Sequence, residues 1–161
     1  MSLADGVARI RGKAASFRRL APDDRWRLVR AMVVLVGVRV ALPGLGVRRT
    51  HAALARALRS TRASPRSGSL VQVTSTVRVM EMAARNVPGG SACLPRSLAL
   101  WYLLRRQHVD AAWTWGARRT AAGFEAHAWV EWAGAVVGEP AQETAGYMPM
   151  PRLAANAGHD V

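Results

Sequence analysis

GGSACLPRSLALWYLLRR, residues 89–106, is the stretch that decides the fold. A Gly-Gly-Ser loop leads into a run of strong helix formers, so a helix is predicted to begin at Cys93. Pro95 agrees with that start, because proline is tolerated in the first helical turn, where its missing N–H has no intrahelical partner. From Leu98 to Leu104 the run is apolar on almost every side, which predicts a helix buried inside a domain. Cys93 is therefore predicted to point into a cleft from the N-terminus of a buried helix.

The length and composition predict one globular unit without a metal or a cofactor. The chain has 161 residues, half of them hydrophobic, which argues against disorder and allows a sizeable core. Because it has only one cysteine, it can form neither an internal disulfide nor a cysteine-based zinc site. Its four histidines show no i, i+3 or i+4 pair that could hold a metal instead. A lone thiol suits a reducing compartment, and we expect the protein in the cytoplasm.

The charge of the chain is strongly positive. The formal net charge is +13, and arginine supplies 22 of the 23 basic side chains. This excess favours an acidic partner, which could be a peptide, a protein face or nucleic acid. The arginines are dispersed, however, and no helix-turn-helix, RNP-like or zinc-finger pattern occurs. An arginine-rich nucleic-acid-binding protein with an inert cysteine is therefore the less favoured interpretation.

The first 60 residues are predicted to form a basic helical region. Apolar residues from Trp26 to Val40 recur at helical spacing, which predicts a core helix; a helix lying on a membrane surface is the alternative. Pro-Gly-Leu-Gly at 43–46 is predicted to end that helix. A second short helix is expected over 47–58, with His51 at the surface.

Two observations bound this region. The most apolar run, 31–38, is stopped by Arg39 well short of the about 20 residues that a bilayer span needs, so no membrane span is expected. The stretch 60–69 is rich in serine, proline and glycine and is predicted to be a linker. It separates the helical region, 1–60, from a core over 70–161, and the two are expected to form one compact unit.

Beyond the linker, the sequence predicts helices followed by a sheet. Residues 70–86 show helical periodicity, although their valine and threonine content leaves a strand open at the start. After the cysteine helix the period changes to alternation, which predicts strands over 111–117, 126–132 and 135–139. Ala133-Gly134 is predicted to join the last two as a tight hairpin. A buried helix packed on an antiparallel sheet makes an α+β fold. No regular structure is expected beyond Pro140.

The predicted sheet brings a histidine and an acid toward the cysteine. Alternation places His127, Trp129 and Glu131 on one face of the second strand, and we expect His127 to face the cysteine helix. With a turn at 133–134, the antiparallel partner of His127 falls near 139–140, so Glu139 can accept a hydrogen bond from the imidazole. Cys93, His127 and Glu139 would then act as nucleophile, general base and orienting acid.

Other interpretations of these residues remain open. A lone cysteine is often an inert small hydrophobic residue, and Glu131 could orient His127 in place of Glu139. The backbone N–H of Cys93, at the helix start, is the candidate oxyanion donor. Trp129, Trp132 and Glu131 are the candidate residues of a substrate cleft.

Two motifs carry a resemblance to a known family. The segments 93–106 and 126–131, which read CLPRSLALWYLLRR and AHAWVE and are followed by a downstream acid, closely resemble those of the lasso-peptide leader peptidases. These are transglutaminase-like cysteine proteases with a papain-related fold, and the basic helical segment at about 20–58 is similar to their N-terminal region. The resemblance implies that Cys93, His127 and an acid cut the leader from a ribosomally made precursor peptide. The family's third member is usually aspartate, whereas this chain has Glu139.

The resemblance also implies partners. The chain is too short to hold a winged-helix leader-recognition module beside the protease, so it resembles the split form, to which a separate recognition protein delivers the precursor. The macrolactam cyclase that acts next is a further candidate partner, and the basic surface at Arg48 and Arg49 is a candidate docking face. Acyl transfer to an amine by the same three residues, as in transglutaminases, is the alternative reaction.

Overall fold

A computed structural model describes residues 21–59, 68–121 and 123–151. In these residues, helices precede a four-stranded antiparallel sheet whose strand order is β3-β2-β1-β4. The predicted α+β class is therefore confirmed. The elements in chain order are α1 (Pro22–Arg59), α2 (Leu70–Asn86), α3 (Cys93–Arg106), β1 (Ala112–Thr120), β2 (Gly123–Trp132), β3 (Ala135–Val137), α4 (Ala141–Thr144) and β4 (Met148–Pro149).

The central element is α3, which contacts α1 and α2 on one side and β1 and β2 on the other. It begins at Cys93 and is buried along most of its length, with Leu98 and Leu104 fully enclosed. Burial of apolar surface of this kind supplies most of a fold's stabilisation, at roughly 25 cal/mol per Å². The predicted buried helix is confirmed.

Helix α1 consists of two helical segments joined at a kink, as the sequence predicts. Pro43 lies inside the helix, and the break falls at Gly46, whose φ of 71° and ψ of 172° are not helical. The Thr50 side chain donates a hydrogen bond to the Gly46 carbonyl at 2.8 Å, which supports the backbone beyond this kink. The predicted break within 43–46 and the predicted second helix over 47–58 are therefore confirmed, although Pro43 itself is helical. Most of the predicted linker, 60–67, and the basic start, 1–20, lie outside the described residues.

By length and composition, α1 is long and apolar enough to cross a bilayer. No other helix in the described residues passes this test. The expectation of no membrane span counted only the run 31–38, but the apolar window of α1 is longer than that run. Only a minor share of that window is buried. A core helix of a soluble protein passes the same test, and α1 does bury Leu28, Leu35 and Val38 against the rest of the fold.

Helix α2 spans Leu70–Asn86, and the predicted bounds are confirmed. The Ser69 side chain caps its N-terminus by accepting a hydrogen bond from the Gln72 backbone N–H at 3.2 Å. This cap starts the helix at Leu70, so the strand alternative at that end is wrong. Val73 and Met80 form part of the buried face.

The sheet contains the three predicted strands with shifted ends. β1 and β2 pair from Ala112↔Glu131 to Thr120↔Gly123, three residues beyond the predicted ends, and β3 stops at Val137. Ala133 and Gly134 both have positive φ, 49° and 79°, and they form the predicted tight turn. The expectation of irregular chain beyond Pro140 is wrong in part, because α4 forms there and β4 pairs with the outer edge of β1.

Candidate active site

Cys93 is the first residue of α3 and is half-buried. The turn that delivers it depends on glycine: Gly89 has a φ of 63°, and a Cβ on Gly90 would lie 2.8 Å from the Ala84 carbonyl oxygen. No side chain caps the helix at Ala92, and the first backbone N–H groups of a helix have no intrahelical partner. The Cys93 sulfur therefore sits where unpaired donors and the positive end of the helix dipole are available.

His127 contacts an acid, and that acid is Glu139. The Nε2 atom of His127 donates to Oε1 of Glu139 at 2.9 Å. The contact follows from the register, because Val130 pairs with Val137 and the next residues along the hairpin bring Glu139 alongside His127. Because the carboxylate binds Nε2, Nδ1 is the ring nitrogen not engaged by Glu139.

A second contact holds the same carboxylate. Arg96, in the first turn of α3, donates from Nη2 to Oε2 of Glu139 at 2.7 Å. The Glu139 side chain is only 4% exposed, so its two oxygens are occupied by one donor from the sheet and one from the cysteine helix. Glu139 thereby ties the position of His127 to the helix that starts at Cys93. Sequence reasoning missed Arg96, although its place three residues after Cys93 puts both on one side of α3.

His127 lies in β2 where the strand pairs with β1 but not with β3. Ala128 and Val130, the alternate residues of β2, belong to the core that includes α3, whereas the His127 ring lies near the rings of Trp129 and Tyr147. The side chains through which β2 packs on α3 are thus those of the alternate residues, while His127 meets the start of α3 in the cavity that it shares with Cys93 and Leu94. In the described residues β3 pairs only with 130–132, so it does not pair with β2 at His127.

Cys93 and His127 line one cavity of about 430 Å³. Its wall is almost wholly apolar, and Arg48 is the one arginine that lines it. Trp113 is fixed there by a hydrogen bond from its Nε1 to the Ser97 hydroxyl at 3.0 Å. The remaining lining residues are Val47, Leu94, Trp115, Ala126 and Ala128.

The cleft residues expected from the sequence lie elsewhere. Trp132 and Glu131 line a separate cavity of about 430 Å³ together with His51. Trp129 is buried beside His127 at 6.1 Å between ring centroids, and its Nε1 donates to Glu131 at 2.8 Å. The tryptophans at the cysteine are Trp113 and Trp115 instead. Trp113 and Trp115 are two residues apart in β1, which predicts that they share one face of the strand, and this was the available sequence signal. Only the β1–β2 register shows that they pair with Val130 and Ala128.

His51 is not at the surface as expected. It is half-buried and stacks on Trp101 at 4.6 Å between ring centroids, with Trp113 at 5.5 Å. Burial lowers the pKa of His51, because the charged imidazolium loses hydration there.

Tyr147 and two charged residues cover the other side of His127. The Tyr147 ring lies 5.3 Å from the His127 ring, and the Arg118 guanidinium stacks over Tyr147 at 4.5 Å. Hydrogen bonds from Tyr147 and Arg118 lower the pKa of Glu125. Burial, followed by the Glu125 interaction, raises the pKa of Tyr147, and a smaller electrostatic contribution comes from Cys93. Sequence reasoning missed this cluster, since Tyr147 lies in the segment expected to be irregular.

No group of three or more histidine, cysteine, aspartate or glutamate side chains is arranged to hold a metal ion in the residues that the structure covers. The Cys93 site has mostly apolar walls. It contains a sulfur at a helix start, an imidazole in the same cavity, and a buried carboxylate that fixes the imidazole.

Comparison with known proteins gives one finding. A family model described as the transglutaminase-like superfamily matches residues 32–152, which is most of the chain and includes Cys93, His127 and Glu139. No curated protein and no solved structure gave a significant match. The match suggests a cysteine-dependent enzyme with activity of the protease or acyl-transferase type. The chain belongs to the transglutaminase-like superfamily.

Proposed function

We propose that this protein is a cysteine endopeptidase that removes the leader from a ribosomally made lasso-peptide precursor. One observation carries the peptidase assignment. His127 lines the same cavity as Cys93, and its Nε2 donates a hydrogen bond to the buried carboxylate of Glu139 at 2.9 Å. A nucleophile, a base and an acid that orients the base are the groups that peptide hydrolysis through a thioester requires.

The reaction begins with transfer of the Cys93 thiol proton to His127. Sγ attacks the carbonyl carbon at the junction of leader and core, and the negative charge develops on the carbonyl oxygen. The backbone N–H of Cys93 is the proposed donor to that oxygen, since it points out of the start of α3. His127 returns the proton to the departing nitrogen, so the core leaves as an amine and the leader remains as a thioester on Cys93.

Water completes the reaction. His127 takes a proton from a water molecule, the resulting hydroxide attacks the thioester carbonyl, and the proton returns to Sγ as the leader leaves with a new carboxylate. Glu139 stabilises the imidazolium that forms in both halves of the reaction, because its carboxylate accepts the Nε2 proton in a hydrogen bond. Glu139 is itself held by Arg96 and does not need to take a proton.

The leader-peptidase part of the proposal is supported by sequence. The residues around Cys93 and His127 resemble those of lasso-peptide leader peptidases, as described above. The mostly apolar cavity provides a wall for the peptide beside the sulfur, and Arg48 adds positive charge at that wall. We propose that a separate winged-helix recognition protein presents the precursor in the cytoplasm and that the macrolactam cyclase uses the released core.

The proposal is tested by the fate of the acyl group. The enzyme is incubated in H₂¹⁸O with the precursor peptide and the recognition protein encoded by neighbouring open reading frames. The masses of the products are then measured by mass spectrometry. Hydrolysis predicts a free core and a leader whose new carboxylate contains one ¹⁸O atom. A leader joined to an added primary amine, without ¹⁸O, would assign the site to acyl transfer. An intact precursor would contradict the leader-peptidase assignment, provided that the recognition protein binds the leader.

A further inference from the structure

Helix α1 carries an apolar stripe on the side that faces away from the core. Three of its residues, Trp26, Val33 and Val40, are 69%, 66% and 72% exposed, and Val29 and Val36 between them are also exposed. We refer to these five residues as the α1 stripe. The residues that α1 buries against α2 and α3 lie on the opposite side of the helix: Leu28, Ala31, Leu35 and Val38.

The stripe has the spacing of a helix–helix seam. Its positions are separated by 3, 4, 3 and 4 residues, which is the a/d pattern of two heptads. At 1.5 Å per residue it extends over about 21 Å. Four of its five members are valine, and β-branched residues at a positions favour two-stranded coiled coils. A stripe this narrow fits one further helix.

The charges beside the stripe indicate what kind of helix that is. Every charged residue between Trp26 and Val40 is an arginine. Arg30 and Arg39 occupy the e and g positions beside the stripe, and Arg39 also donates to the Gly89 carbonyl at 3.0 Å. Arg27 lies on another side of α1 and reaches the Ser75 hydroxyl of α2 at 3.4 Å. A second copy of α1 would place arginine against arginine, which destabilises a seam. The N-terminal segment 1–20 carries five basic residues and one acid, so its charge does not complement the stripe either.

We propose that the α1 stripe binds an amphipathic helix of a partner protein whose apolar residues are flanked by aspartate or glutamate. Such a helix would cover the exposed valines and pair its carboxylates with Arg30 and Arg39. Binding at this surface is separate from the chemistry at Cys93, so it can be tested without substrate. A lipid bilayer is the competing occupant, because α1 is apolar enough to enter one.

The test uses two labelled synthetic peptides of three heptads, with valine at a and leucine at d. One has glutamate at e and g and the other has lysine there. Fluorescence anisotropy with the full-length protein is expected to show micromolar binding of the glutamate peptide and at least tenfold weaker binding of the lysine peptide. Binding of the glutamate peptide should weaken as salt is raised, since exposed charge pairs are screened. Equal binding of both peptides, or of neither, would overturn the proposal.

A variant pair locates the binding surface. The double substitution Val33→Glu/Val40→Glu should weaken binding of the glutamate peptide at least tenfold, because it puts like charge into the seam. Val71→Glu is the matched control, since Val71 is 77% exposed on α2, and it should leave binding unchanged. Equal effects of the two changes would refute the assigned surface. Two other results would assign a different occupant to the stripe. Flotation of the protein with vesicles of equal phosphatidylcholine and phosphatidylglycerol, lost in the double variant, would indicate a bilayer. Concentration-dependent dimerisation in sedimentation, also lost in the double variant, would indicate a second copy of the protein.

Discussion

Replacing Glu139 by glutamine should disable the site through the tautomer of His127. Arg96 has only donors, and its Nη2 lies 2.7 Å from Oε2 of Glu139. In the Glu139→Gln variant the side-chain oxygen is therefore expected to stay with Arg96, which turns the amide NH₂ toward His127 Nε2. That nitrogen must then accept a hydrogen bond, and the ring proton moves to Nδ1. A His127 protonated at Nδ1 cannot take the thiol proton there.

The size of the effect follows from the same geometry. In a serine protease triad, the corresponding wrong tautomer lowers kcat by about 10⁴. We expect Glu139→Gln to lower the rate of leader release by about 10³ to 10⁴. If the amide could rotate, its oxygen would still accept from Nε2 in a neutral hydrogen bond. The loss would then be only the charge assistance, about 1–1.5 kcal/mol or roughly tenfold.

A second substitution separates these two cases. Arg96→Met removes the donors that fix the amide, so Arg96→Met/Glu139→Gln should cleave at least tenfold faster than Glu139→Gln alone. Glu131→Gln is the matched control, because Glu131 accepts from Trp129 and makes no contact with His127 among the hydrogen bonds described. It should stay within about threefold of wild type.

The assay is single-turnover leader release, followed by liquid chromatography and mass spectrometry, with thermal unfolding of each variant measured in parallel. Only variants whose Tm remains well above the assay temperature are compared. Activity of Glu139→Gln within threefold of wild type would refute the role of Glu139. An equal loss in Glu131→Gln would transfer that role to Glu131. A double variant as slow as Glu139→Gln would refute the tautomer argument.

Three further predictions concern the supporting structure. Gly138→Ala should lower Tm by about 3–10 °C and slow leader release, because Gly138 directly precedes Glu139, its φ is 88°, and the new Cβ would lie 2.7 Å from the Leu100 side chain. Gly134→Ala is the control, since Gly134 has a similar φ and no atom within 4 Å of the new Cβ, and it should slow release much less. Equal slowing by the two variants would contradict the steric argument. Ala133→Asn should raise Tm by about 1–3 °C, because asparagine tolerates the positive φ of the hairpin turn better than alanine, and an unchanged or lower Tm would count against that reason. The folded-state pKa of His51 lies below its unfolded value, so the unfolded chain binds the proton more readily and stability should fall as pH drops through about 6.5. His51→Phe keeps the ring stack and should reduce this fall between pH 7.5 and 5, measured as Tm; an unaltered pH dependence would exclude His51 as its source.

Local signals were sufficient for much of this fold. The start of α3 could be predicted because a glycine turn, a proline in the first turn and an apolar run coincide within 89–106. The hairpin that carries His127 and Glu139 could be predicted because a two-residue turn fixes the register of the strands around it. The bounds of α2 followed from its periodicity.

The features that were missed depend on contacts between distant segments. The Arg96–Glu139 pair joins residues 43 apart in sequence, and neither position is unusual until α3 meets the sheet. Tyr147 reaches His127 only because β4, two residues long, pairs with β1, and so short a strand has no periodicity to detect. Glu131 was assigned to the cleft of His127 because alternation gives the face of a strand without showing which cavity that face lines.

The most direct test of the central claim compares leader release by wild type, Cys93→Ala and His127→Ala with the same precursor and recognition protein. Because Cys93 and His127 are proposed to act as one unit, each substitution should slow release by at least about 10³ while Tm stays close to that of wild type. Leader release at the wild-type rate by either folded variant would show that the sulfur at the start of α3 and the imidazole of β2 do not carry the reaction.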